Sequence, residues 1–228
     1  MIGAMRPDQD TSTPGGNAPG DIRHIVLIGD ALEGLLRARE HGSLEDKLVP
    51  GGQTPWKLTM LPAGNAVRPA PLRDLPDDAT HIVISIEGNR AIERSELLSA
   101  QRVSYEEALA KLSLAADQFE GVIEALIRAA QATGLPMVIC TMWRPRYTEP
   151  QRQRAAVAAL AIFNECIYRR AVAARISVVD LCSVCAELGD YSNQTLLSKT
   201  GLRKGANAVW RALYAVSRGG PRTEVFSS

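Results

Sequence analysis

Five apolar runs of strand length, separated by longer segments, constrain the fold of this chain more than any other feature. They are HIVLIGD (24–30), WKLTMLPAG (56–64), HIVISIEG (81–88), PMVICTMW (136–143) and ISVVDL (176–181). A strand buried on both faces reads as a continuous hydrophobic run rather than an alternation, as the first, third and fourth do. Such strands, alternating with segments of helical period, imply a parallel sheet covered by helices on both sides. The expected fold is therefore α/β: a three-layer α/β/α sandwich on a five-stranded parallel sheet, in the order 2-1-3-4-5.

The intervening segments carry their own start and stop signals. Ser104 followed by Glu107 fits a capping box, after which Leu109, Leu112, Ala116, Phe119, Ile123, Leu126 and Ile127 recur at helical spacing until Gly134-Leu135-Pro136. Pro150 suits the first turn of a second helix with an apolar stripe of Val157, Leu160, Ala161, Ile167 and Val172. A last helix is expected over 202–216. Residues 1–20, rich in Pro, Gly, Ser and Thr, cannot bury enough surface to offset chain entropy and read as a disordered tail. Residues 217–228 read as a flexible C-terminal tail, which leaves 21–216 as one domain.

Composition excludes several classes of function. With 26 basic and 25 acidic residues the net charge is +1, so no basic field points to nucleic acid. No apolar stretch approaches the ~20 residues of a membrane helix. The four cysteines lie in or beside apolar segments and the N-terminus shows no export pattern, from which a cytoplasmic protein is expected. Cys182 and Cys185 have redox or half-zinc spacing but lack a second pair, so no metal and no cofactor are expected. Gly201 and Gly205 frame two basic residues at a helix start without the spacing of a phosphate-binding Walker loop. The broad helical surfaces suit a homodimer.

Ligands of an open parallel sheet bind outside the carboxyl ends of its strands. Those positions hold Asp30-Ala31, Gly64-Asn65, Glu87-Gly88-Asn89-Arg90 and Trp143-Arg144. In this arrangement the chain resembles the SGNH, or GDSL, hydrolase superfamily, whose sheet has the flavodoxin-like order, over nearly all of 22–214. IGDAL matches the Gly-Asp-Ser block except that Ala31 stands at the nucleophilic serine. LPAGN supplies Gly64 for the second block, and SIEGNR places Asn89 at the oxyanion asparagine of the third, with Glu87 and Arg90 replacing its glycine and aspartate. At the last block, Asp-x-x-His, Leu197 and Thr200 stand where the acid and the base would be. CTMWRPRY and VVDLCSVC resemble stretches of a hydrolase-like subgroup of which some members also lack the terminal histidine.

The resemblance implies a site that keeps its oxyanion donors, the N–H groups of Ala31 and Gly64 and the amide of Asn89, while losing the nucleophile. The helix expected to begin near Ala31 would add the positive end of its dipole. Only His24, His41 and His81 could supply an imidazole base, and none lies beyond the third strand. Arg90, Arg144 and Arg146 suit an anionic ligand, and Trp143 could stack on it. Each residue also has a plainer reading: Asp30 as a helix cap, Asn89 as a turn residue, Glu87 as a solvated partner of Arg90, and Trp143 to Tyr147 as a rigid packing loop. Three functions follow. The first is a non-hydrolytic binder of a small acyl, carboxylate or other anionic molecule, or of a partner, through Asp30, Ala31, Gly64, Asn89, Arg90, Trp143 and Arg144. The second is an enzyme of altered mechanism, with Glu87, Asp30 or a nearby arginine as acid, base or charge stabiliser. The third is a non-catalytic interaction subunit.

Overall fold

The computed structural model describes residues 22–29, 57–61, 64–65, 68–69, 72–86, 104–219 and 223–227. Its strands are β1 (His24–Ile28), β2 (Lys57–Leu61), β3 (Gly64–Asn65), β4 (Arg68–Pro69), β5 (His81–Ile84), β6 (Met137–Cys140), β7 (Ser177–Val179) and β8 (Val225–Phe226). Its helices are α1 (Tyr105–Gln131), α2 (Pro150–Ala174), α3 (Leu181–Val184) and α4 (Lys199–Arg218).

The main sheet runs β2-β1-β5-β6-β7-β8, with every neighbouring pair parallel. Its first five strands have the expected order, and the sheet has six strands rather than five. The sixth, β8, comes from the segment read from sequence as a C-terminal tail. Two residues suffice for it because Val178 N–H donates to Glu224 and Asp180 N–H to Phe226, extending the ladder at both ends. Beside this sheet, β3 and β4 form a small antiparallel ribbon.

Alternation along the strands divides the core into two layers. Val26, Ile28, Ile82, Ile84, Ile139 and Val178 face α1 and α2, where Phe119 and Phe163 meet edge to face at 5.2 Å. Ile25, Leu27, Val83, Val138, Cys140 and Val179 face α4, packing on Ala208, Val209, Ala212 and Leu213. Both faces are closed, which explains the unbroken apolar runs.

Local chemistry sets the helix ends. Ser104 Oγ accepts from Glu107 N–H at 3.1 Å to start α1, and the chain leaves it through Gly134 at φ 71°. The Glu149 carboxylate caps α2 by accepting from Gln151 and Arg152, with Pro150 in the first turn. The buried stripe of α2 is Ala156, Ala159, Leu160, Phe163, Ile167 and Ala171, at three- and four-residue steps. Val172 and Ala161 of the expected stripe lie off this line and are exposed, as is Leu109 at the start of α1. Small residues lie on the buried side because α2 sits close to the sheet and to α1.

Gly29 ends β1 at φ 109°, with its N–H donating to Leu61 at 2.9 Å. A Cβ placed there would lie 2.0 Å from the Ser85 carbonyl oxygen. Gly134 also has positive φ, but the space around it is open. The two positions separate conformational cost from steric exclusion. Gly134→Ala should cost about 1 kcal/mol, the usual left-handed penalty. Gly29→Ala should cost at least ~3 kcal/mol, since backbone must also move. Urea denaturation of the two variants measures this difference.

Candidate functional site

In a parallel sheet the carboxyl ends of all strands open on one side, and Gly29 lies at that side between the ends of β2 and β5. Its sequence neighbours Asp30 and Ala31 lie outside the described residues, as do Glu87, Asn89 and Arg90. Gly64 is described as part of β3, paired with Pro69, three residues beyond the end of β2.

The loop after β6 is fully described. Thr141 and Met142 continue the buried run, and Asn164 reaches across from α2 to hold it: its Oδ1 accepts from Met142 N–H at 2.9 Å while its Nδ2 donates to Met142 O at 3.0 Å. This pairing mimics a strand ladder at a position that has no strand neighbour. Sequence reading missed it, although a polar residue one step after Phe163 on an otherwise apolar face is the signal. Asp180, after β7, accepts from Cys182 N–H and from the Thr141 hydroxyl, binding the two strand ends together.

Trp143 is buried, and its indole N–H donates to Thr195 O at 2.9 Å. It packs in the core layer under α4. Of the two loop arginines, Arg146 is committed internally: its backbone N–H donates to Gln194 O, its guanidinium donates to Ala186 O, and its cationic carbon lies 5.0 Å over the Tyr191 ring. Arg144 is exposed and stands beside the Cys182 thiol. The reading of 143–147 as a rigid packed loop thus describes Trp143 and Arg146, and Arg144 is the loop's outward charge.

The two described histidines lie at the other end of the sheet. His24 and His81 begin β1 and β5, about 13 and 10 Å from the carboxyl ends of those five- and four-residue strands at about 3.3 Å per residue. Their ring nitrogens are engaged: His24 with Asp78 at 2.7 Å and Thr59 at 2.8 Å, His81 with Thr80 at 2.9 Å and Ser217 at 2.7 Å. His41 lies outside the described residues. Leu197, at the expected acid position, is buried, whereas Thr200, at the expected base position, is exposed in the first turn of α4. Lys204 forms ion pairs with Glu187 and with the buried Asp190, leaving it committed to that loop. Among the described residues, no three His, Cys, Asp or Glu side chains gather as a metal set would, and no helix is long and apolar enough to cross a membrane.

The thiols are buried chemistry. Burial pushes both Cys140 and Cys185 up to about 12. Burial, with Asp180 adding to it, also raises Cys182 against the pull of Arg144. Burial carries the Tyr191 phenol to about 12, so it stays a neutral donor, bonded to Cys185 O at 2.8 Å.

No family model matches the sequence, and no curated protein does either. Solved structures do. A lipase from a goat rumen metagenome superposes with TM-score 0.58 at 15% identity, covering 89% of this chain and 100% of its own. Phospholipase A1 from Streptomyces albidoflavus gives 0.55 at 11%, covering 84% and 99%. A protein assigned to the G-D-S-L lipolytic family, from Desulfitobacterium hafniense, gives 0.51 at 15%, covering 83% and 98%. The fold is the SGNH hydrolase fold. Nearly the whole length of each of these three neighbours is covered, so the likeness is one of the whole fold.

The raised thiols have a consequence for stability. An unfolded chain loses thiol protons from about pH 9.0, while folded Cys140 holds its proton to about 12. Stability is therefore intact below pH ~9 and falls as pH rises through that window, because there the native state binds more protons. Urea midpoints should decline from pH 9 to 11, and a Cys140→Ala variant should show a shallower decline.

Proposed function

We propose that this protein binds a small carboxylate, acyl or other anionic ligand at the carboxyl end of its sheet and has lost serine esterase activity. The observation that carries the reading is the engagement of His24 and His81 at the amino ends of β1 and β5, away from where an acyl group would sit. Attack on an ester needs a nucleophile with a base in hydrogen-bond reach. Ala31 offers no lone pair, and on the family's pattern Leu197 and Thr200 stand where the acid and the base would be.

What supports binding is the persistence in sequence of the oxyanion donors. A backbone N–H and an asparagine amide aimed at a developing negative charge serve equally for the resting charge of a carboxylate. Arg144 adds an outward guanidinium able to pair with a second oxygen or a phosphate. The lipases and phospholipase that share the fold act on acyl compounds according to their names, which places carboxylates and acyl groups first among ligands to try.

Thermal shift with acetate, butyrate and glycerol phosphate tests the proposal. A ligand that binds only the folded state at about 100 times its Kd stabilises by ~2.7 kcal/mol. At least one of these anions should raise the Tm saturably, and Asn89→Ala should remove most of the rise. An unchanged Tm with all three, or a rise that survives both Asn89→Ala and Arg144→Gln, would overturn it.

A further inference from the structure

The segment between α3 and α4 is built in two parts of unequal security. Its root is deeply held: Asp190 is buried against Lys204, its carbonyl accepts from Ser198 N–H at 2.8 Å, and Gly201 lies so close that a Cβ would be 2.1 Å from that carbonyl. Beyond the root the chain makes a tight excursion, closed by an antiparallel bridge between Tyr191 and Leu197 and by Ser192 N–H donating to Leu196 O. Asn193 organises the tip, its Oδ1 accepting from Thr195 and Leu196 N–H at 2.9 and 2.8 Å. Ser192, Asn193, Gln194 and Leu196 are exposed.

Polar contacts, not buried apolar area, tie this tip to the loop after β6. Arg146 N–H donates to Gln194 O at 2.6 Å, Trp143 Nε1–H to Thr195 O at 2.9 Å, and the Gln194 amide to the Thr148 hydroxyl at 3.2 Å. The Arg146 side chain spans the same junction, from Ala186 O on one side to the face of Tyr191 on the other. Segments with few buried contacts and exposed backbone bonds open locally at low cost.

We propose that residues 192–196, beyond the Tyr191–Leu197 bridge, form a flap over the carboxyl end of β6, with Arg146 as its latch. The root at Asp190 and Leu197 stays in place while the tip swings, and the opening uncovers Trp143 and the end of the sheet. That the flap controls entry of a ligand rests on the binding reading above. The latch itself does not. Arg146 is a positioning residue: it acts by fixing the flap.

Hydrogen exchange on the full-length protein tests this without any ligand. In Arg146→Ala, which keeps the backbone bond to Gln194 but loses the guanidinium's bond to Ala186 O and its contact with the Tyr191 ring, amides of 192–196 should exchange roughly tenfold faster, while those of α1 keep their rates. Tyr191→Leu, which removes the ring beneath the guanidinium and the bond to Cys185 O, should give the same local rise if Arg146→Ala folds poorly. Unchanged exchange at 192–196 in both variants would overturn the latch, as would a uniform rise across the protein. Failure of acetate, butyrate and glycerol phosphate alike to raise the Tm counts against the binding reading and leaves this exchange result untouched.

Discussion

The close approach of Gly29 to the Ser85 carbonyl governs the end of the sheet from which the candidate site would be built. β1 is central, bonded to β2 on one side and β5 on the other, and every residue of it is buried. Where it stops, the chain must turn between two neighbours with no room for a side chain and with a backbone angle that L residues rarely adopt. That requirement holds Gly29 itself against the end of β5.

The sheet was legible in the sequence because its physical cause is local in each run: a strand covered on both faces has no polar positions to spare. Order and helix ends were legible for the same kind of reason, as in Ser104 with Glu107, Pro150 and Gly134. β8 was not, since two residues amid Gly, Pro, Arg and Ser carry no period, and only the ladder on β7 makes them a strand. The α2 stripe was misplaced by giving Val172 weight for its apolarity, when the close packing of α2 favours alanine at Ala156, Ala159 and Ala171.

The site was legible in part. Asp30, Ala31, Glu87, Asn89 and Arg90 were read from order along the chain, and they lie outside the described residues. Trp143 and Arg144 were read as a pair, yet they divide: Trp143 is buried and bonded to Thr195, while Arg144 faces outward. An aromatic beside an arginine cannot reveal from sequence which of the two the fold will use for packing. Asn164 and Arg146 matter more to the loop after β6 than either, and their partners Met142, Gln194 and Ala186 are 22 to 48 positions away in sequence or bound through backbone atoms that no side-chain pattern records.

Under the proposed function, this fold holds a negative charge and lacks the means to launch an attack. Intact-mass spectrometry after incubation with a fluorophosphonate, which forms a covalent adduct only with an activated hydroxyl, tests it most directly. The account predicts no adduct on the natural chain and none on Ala31→Ser, because a serine without a base remains an unactivated alcohol. A stoichiometric adduct on either protein, mapped to any residue at the carboxyl end of the sheet, would contradict it.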